Sequence, residues 1–438
     1  MAPSLQLAYY ADDFTGATDA LEWLERAGVR TALFLRVPDA NLLARMPAFH
    51  AIGVAGRTRA LPTDELEVEL RRDFVALRAL RPRHVHYKVC STFDSSPAVG
   101  SIGRAIEVGA DVFGAACIPV VGGAPALGRY CVFGHVFAQD GIGSDRAVHR
   151  LDRHPVMSRH PVTPADESDL RRHLARQTRR AISLIDLRQL DGDTARLAEA
   201  WRTQRGVVLL DTLTRAHVAR IGELLERAAD AAAPLLTIGP SSVEQALGDA
   251  WAERGGLRAP DEWPPPRATR ALLVVSGSCS TVTERQVEWA RSAGFGEVAL
   301  SPAGLAGPEG EQVVQQAIRV VTDHLFQRRH VMVHTLGMGR DPAAAAPEQI
   351  GRVLGRIATA AVEQVGIFRL LIAGGDTSGV VARALGIEAL EFLAPLNPGA
   401  PLCRVRAPHR PVDGLEVVVK GGQVGPDDYF QRVAEGLS

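Results

Sequence analysis

The sequence predicts an α/β protein of two domains, each a largely parallel sheet covered by helices, with a cleft between them. Three observations carry that prediction. At 438 residues the chain is too long for one ordinary hydrophobic core. Short apolar runs alternate with helical periodicity through both halves, the mark of parallel strands joined by helices. Between 253 and 269 the text ERGGLRAPDEWPPPRAT breaks the alternation with three consecutive prolines and flanking charge, a stiff exposed connector. The expected domains are residues 1–252 and 270–438.

Taken in order, residues 5–11 read as a buried strand. A helix pattern follows from Thr15, with Ala17, Ala20, Leu21 and Leu24 on one face and Gly28 as its stop. Further strands are expected at 31–35, 51–55, 85–89, 112–118, 182–187, 207–210 and 235–238, since these runs are mostly too short for helices. Helical spacing fills the gaps, as at 66–80 and 169–180. After the connector, ALLVVSGSCS opens a second series, with helices near 281–293, 312–328 and 348–365. Strands near 369–373 and 415–420 close it.

Composition excludes several classes of function. The formal net charge is −1 and no basic run carries interleaved aromatics, which leaves a nucleic-acid role without support. No apolar run reaches the roughly 18 residues of a membrane span, and the N-terminus lacks a basic-then-apolar signal, so a cytoplasmic location is expected. The five cysteines form no CxxC pair, and their odd number argues against a disulfide framework. His149, His154 and His160 match no zinc spacing. Only two of the 49 basic residues are lysine, Lys88 and Lys420, and both sit beside Gly- or Ser-rich motifs at strand ends. A compact ammonium approaches a phosphate or carboxylate more closely than a guanidinium fork does.

The motifs lie at these strand ends. In YYADDFTGATDA (9–20), Asp12 and Asp13 stand together where a strand meets a helix. Capping explains one carboxylate and leaves the second unexplained. GVAGRTRAL (53–61) brings Arg57 and Arg59, and HYKVCSTFDSSP (86–97) brings Lys88, Ser91, Thr92 and Asp94. Cations and hydroxyls gathered near two aspartates suit a small hydroxy acid, although a surface ion-pair network would use the same residues. In the second half, VVSGSCSTVTERQ (274–286), LLIAGGDTSGVVARALG (370–386) and VVVKGGQVG (417–425) each end a strand in glycine or hydroxyl residues. Three such ends in one half form a phosphate pocket.

ADDFTGATDA, YKVCSTFDSSP, RHPVT, SGSCS, GGDTSG and KGGQVG, in this order, resemble the signature blocks of the four-carbon acid sugar kinases, over nearly the whole chain. The resemblance implies an N-terminal sugar-acid domain and a C-terminal nucleotide domain, and phosphorylation of threonate, erythronate or 3-oxo-tetronates by ATP with Mg²⁺ carried on the nucleotide. It carries ATP contacts onto Ser278, Gly374, Gly375, Asp376, Thr377 and Gly422, and Lys420 would steady the triphosphate. The acid would meet Asp12, Arg57, Lys88 and Ser91, with Asp13 as the base and Asp12 as helix cap or hydroxyl binder. First-half details resemble a branch found beside RuBisCO-like proteins, which includes 3-oxo-isoapionate kinases. The partners expected are a small acid sugar and a second copy of the chain, with no nucleic acid and no membrane. Two rivals compete: a non-catalytic sugar-acid sensor, and a lyase or aldolase using Lys88 as a Schiff-base amine.

Overall fold

Five consecutive apolar residues satisfy both their side chains and their backbone only in a strand covered on both faces, and Leu7–Ala11 are all buried accordingly. The computed structural model describes residues 5–437 apart from 141–146, 161, 230–232, 256, 258, 259, 261, 279 and 336–345. The chain divides into two compact units, Met1–Thr31 with Arg36–Pro260, and Ala32–Leu35 with Asp261–Ser438.

Among the described residues, eleven strands precede residue 240: β1 (Leu7–Ala11), β2 (Thr31–Phe34), β3 (Ala51–Ala55), β4 (His84–Lys88), β5 (Cys117–Val121), β6 (Arg129–Val132), β7 (His135–Gln139), β8 (Val148–Arg150), β9 (Ile182–Ile185), β10 (Gly206–Leu210) and β11 (Leu235–Gly239). In the first unit the order is β3-β1-β4-β11-β5-β10-β9, parallel throughout. Helices such as Phe14–Arg26, Thr63–Ala79 and Ile102–Phe113 cover it with apolar faces. Phe74, Tyr87, Ile106, Leu209 and Leu236 belong to the core that results.

The second unit follows the same rule with an antiparallel addition. Its strands are β12 (Leu272–Ser276), β13 (Gly296–Ala299), β14 (Val331–His334), β15 (Arg369–Ala373), β16 (Ala389–Asn397), β17 (Ala400–Arg406) and β18 (Glu416–Lys420). β13-β14-β12-β15-β18 are parallel; β17 and β16 continue the sheet antiparallel, and β2 pairs antiparallel to β16.

Several expectations are displaced. The apolar run 112–118 is no strand: Val112 and Phe113 end the helix Ile102–Phe113, Gly114 stops it in the left-handed region, and the strand is Cys117–Val121. An apolar run that straddles a helix end and a strand start has no single period to read. The helix expected over 169–180 is confined to Leu170–Ala175. The small β6-β7-β8 sheet and the β16–β17 hairpin add to the expected elements. Residues 32–35, expected with the first domain, group with the second unit.

One buried ion pair ties the second unit together. Arg369, fully buried, is the register partner of Glu416, and its Nε and Nη2 donate to Glu416 Oε2 at 2.8 and 2.5 Å. Its remaining donors reach Val433 O and Arg267 O, binding the C-terminal helix and the connector to the sheet. Arg369→Met strands the carboxylate and should cost about 3–5 kcal/mol in denaturant unfolding. Adding Glu416→Leu should recover most of that loss; no recovery would show that the pair is not the source.

Candidate functional site

In a parallel sheet, chain leaving the carboxyl ends of neighbouring strands converges on one edge. Ala11 is level with Ala55 on one side and Lys88 on the other, so residues 12–13, 56–59 and 88–90 emerge side by side. Backbone bonds hold that register past the strands: Asp12 N–H donates to Lys88 O, Gly56 N–H to Ala11 O, and Arg59 N–H to Asp12 O.

Arg59 spans both aspartates. Its Nε and Nη2 donate to Asp12 at 3.0 and 2.6 Å, and its Nη1 and Nη2 to Asp13 at 2.8 and 3.0 Å. Asp13, not Asp12, is the N-cap of the helix: its Oδ1 accepts from Gly16 N–H at 2.8 Å and its Oδ2 from Thr15 Oγ1 at 2.7 Å. The cap, expected of Asp12, therefore falls to Asp13, because extended backbone at residue 13 turns that side chain onto the first helical turn.

The two carboxyls are driven apart. Burial pushes Asp12 up, and Arg59 opposes that without cancelling it, leaving Asp12 above the usual carboxylate range. Burial also acts on Asp13, but Arg59, Lys88 and the cap hydrogen bonds outweigh it and hold Asp13 below that range. The Asp13 side chain retains 13% exposure against 3% for Asp12.

Lys88 is almost fully buried, with Nζ 3.7 Å from Asp19 Oδ2. Burial works against its charge, and the carboxylates of Asp19, Asp13 and Asp12 overcome it, holding the ammonium above its usual value. A Schiff-base amine is activated by a depressed pKa, which these carboxylates oppose, so the surroundings of Lys88 do not favour the lyase reading. The ammonium fits because residue 16 is glycine: a Cβ there would lie 2.5 Å from Asp13 Oδ1 and 2.7 Å from Lys88 Nζ. Beneath it, His86 is fully buried, with Nε2 3.0 Å from Gly239 O and Nδ1 2.5 Å from Glu244 Oε1. The carbonyl only accepts, so Nε2 donates to it and Nδ1 faces the Glu244 carboxyl.

Arg57 does not join this cluster. Its side chain is exposed and donates to Glu69 Oε2 at 3.1 Å. The two arginines are two residues apart on one turn, and nothing in the local pattern distinguishes the one that turns inward. Ser91 is buried in the turn three residues past β4 and makes no side-chain hydrogen bond among the described residues. Among those residues no group of three or more His, Cys, Asp or Glu side chains could hold a metal.

In the second unit Ser276, Ala373 and Lys420 are level on β12, β15 and β18, so the three glycine-rich ends meet as expected. Gly374 has φ +117°, a conformation that L side chains rarely adopt, and precedes the helix Gly375–Ala384. Thr377 is buried in that helix's first turn, and the side chain of Asp376 lies outside the described residues. Ser280 caps the helix Thr281–Ser292 through Val282 N–H and donates to Gly422 O at 2.7 Å. Thr283 donates to Gly422 O and to Ser278 Oγ.

Lys420 lies below these loops rather than among them. It is fully buried and donates to Gln286 Oε1 at 2.7 Å and Thr283 Oγ1 at 3.1 Å. Gln286 in turn donates to the carbonyls of Val424, Gly425 and Pro426. Lys420 therefore holds the glycine loop through two side chains. No carboxylate pairs with it among the described residues, and burial lowers its pKa to about 7.

Comparison with known proteins matches residues 7–247 to a sugar-binding N-terminal domain and residues 273–430 to a nucleotide-binding C-terminal domain. A 3-oxo-isoapionate kinase of Paraburkholderia graminis is 42% identical over 99% of this chain and 94% of its own length. A 3-oxo-tetronate kinase of Pseudomonas fluorescens is 30% identical over 100% of this chain and 98% of its own. A solved structure from Salmonella typhimurium LT2 superposes with a TM-score of 0.78 at 23% identity, covering 99% of this chain and all of that one.

Lys420 yields a test of the nucleotide loops. A phosphate brought near an ammonium of pKa about 7 raises that pKa, so binding draws a proton onto Nζ as pH rises through 7. Affinity for ADP should be full below pH 7 and decline above it. Calorimetry at pH 7.5 in buffers of different ionisation enthalpy should show proton uptake in the wild type and less in Lys420→Met. Equal uptake in both would remove Lys420 from the site.

Proposed function

The chain belongs to the four-carbon acid sugar kinase family and is an ATP-dependent kinase of a small acid sugar, and we propose that its acceptor is a branched 3-oxo acid of the 3-oxo-isoapionate type. The likeness at 42% to the Paraburkholderia graminis enzyme over nearly the full length, against 30% to a 3-oxo-tetronate kinase, carries this reading. A purely binding role is not favoured, since both curated relatives are named as kinases. The reading implies a cytoplasmic enzyme; among the described residues no helix is long and apolar enough to cross a membrane.

In the proposed mechanism the acceptor hydroxyl lies against Asp13. Geometry takes precedence over basicity in choosing a base, and Asp13 is the more exposed carboxylate of the pair. Its lowered pKa keeps it ionised throughout the neutral range. The acceptor oxygen forms its bond to the γ-phosphorus as the bond to the ADP oxygen breaks, and the hydroxyl proton passes to Asp13. Asp12 holds Arg59 in place, Lys88 balances the carboxylates, and Ser91 offers a free hydroxyl to the sugar. In the second unit Ser278, Gly374, Gly375, Asp376, Thr377 and Gly422 line the phosphates, beside the positive end of the helix Gly375–Ala384. Lys420 positions that loop. Mg²⁺ fits best as a companion of the phosphates, where it would neutralise their charge.

An assay of ADP release over 3-oxo-isoapionate, 3-oxo-tetronates and tetronates tests the substrate. The highest kcat/KM should fall on 3-oxo-isoapionate, by about tenfold or more; a preferred 3-oxo-tetronate overturns the choice.

The aspartates make a separate prediction. Asn still caps a helix, so both amide variants should fold. Asp13→Asn should lower kcat about a hundred- to ten-thousand-fold with acid KM nearly unchanged. Asp12→Asn should act chiefly on KM or Tm, through Arg59. Kinetics of the purified variants decide it, and the opposite pattern makes Asp12 the base.

A further inference from the structure

An acid substrate needs a cation for its carboxylate, and the two cations expected to supply one are engaged. Arg57 is exposed and donates to Glu69, while Lys88 faces Asp19 within electrostatic reach of Asp12 and Asp13. With Arg59 taken by the aspartate pair, the cluster at β1 and β4 holds three carboxylates against two cations. Such a pocket accepts hydroxyls and repels another anion.

Among the described residues of the first unit one other cation is buried: Arg129, at the start of β6, 9% exposed. Its Nη1 donates to Leu127 O. Among the described residues its buried Nε has no partner, its Nη2 donates to no acceptor, and no carboxylate lies within ion-pair distance. Asp94, a carboxylate that acts on it only through space, accepts instead from Thr92 Oγ1 at 2.7 Å. The Nε/Nη2 edge of a guanidinium is one of those that grip a carboxylate with two parallel bonds. A buried charge of this kind is costly to leave unpaired, and burial pulls its pKa down.

Its position suits the site. Ala124 and Arg129 bond to each other's backbone, which fixes Arg129 just past the carboxyl end of β5. β5 neighbours β11, which neighbours β4. The thiol of Cys90, two residues beyond Lys88, lies within electrostatic reach of both Arg59 and Arg129.

We propose that Arg129 receives the carboxylate of the acid sugar on its free Nε/Nη2 edge, leaving the hydroxyl end to Asp13. The proposal rests on the acid sugar kinase reading and adds the residue that selects an acid over its neutral counterpart.

The experiment compares 3-oxo-isoapionate with its amide in the wild type and in Arg129→Gln, each at saturating ATP. Losing one partner of a buried charge pair should raise KM for the acid about thirtyfold or more. KM for the amide and for ATP should stay within about threefold. Equal effects on acid and amide, or none on either, overturn the role of Arg129 and leave the kinase reading standing. A wild type that phosphorylates no acid of the panel overturns both. Should Arg129→Gln fail to fold, phenylglyoxal modification of the wild type, mapped by mass spectrometry, keeps the test. The acid should protect Arg129 and the amide should not; absence of protection overturns the proposal.

Discussion

The site in the first unit depends on one guanidinium lying across two adjacent carboxylates. Asp12 and Asp13 repel each other and are both largely buried, an arrangement that is costly without a cation. Arg59 resolves it with four hydrogen bonds, using all three of its nitrogens. A lysine could not replace it, since a point charge reaches one carboxylate well and the other poorly. The arrangement also separates the two groups chemically. Asp12 is buried behind the fork, whereas Asp13 keeps an exposed edge and a stabilised charge.

The supporting layer explains why the cluster is rigid. Gly16 leaves room for the Lys88 ammonium beside Asp13, and Asp19 faces that ammonium from the same helix. His86 and Glu244 meet beneath it and fix the strand from which Lys88 projects. Charged groups held this way need little rearrangement when a substrate arrives, the property that makes electrostatic catalysis effective.

The two units meet opposite electrostatic demands. The first holds more carboxylates than cations around Asp13 and is suited to hydroxyls and a departing proton. The second holds, in Lys420, a buried cation with no carboxylate partner among the described residues, and is suited to phosphates. Lys420 bonds to Thr283 and Gln286, whose own bonds to four loop carbonyls hold the glycine loop. Arg369 and Glu416 anchor the opposite end of the same pair of strands.

The sequence alone determined the parallel α/β architecture, because strands buried on both faces are written as continuous apolar runs and their ends as glycine and hydroxyl clusters. It also located Asp12, Asp13, Lys88 and the three glycine-rich ends, since each interrupts an apolar run where a strand must stop. It did not reveal the β16–β17 hairpin or the sheet that β2 joins, as an apolar strand carries no mark of its neighbour. Only the tertiary structure decided that Asp13 is the cap, that Arg59 rather than Arg57 turns inward, and that Lys420 works from below its loop. Arg59 meets its aspartates 46 and 47 residues away, and Lys420 meets Thr283 and Gln286 137 and 134 residues away. Where a side chain points and which charge it meets are set by strands brought level across the sheet, and a local pattern sees only its own strand.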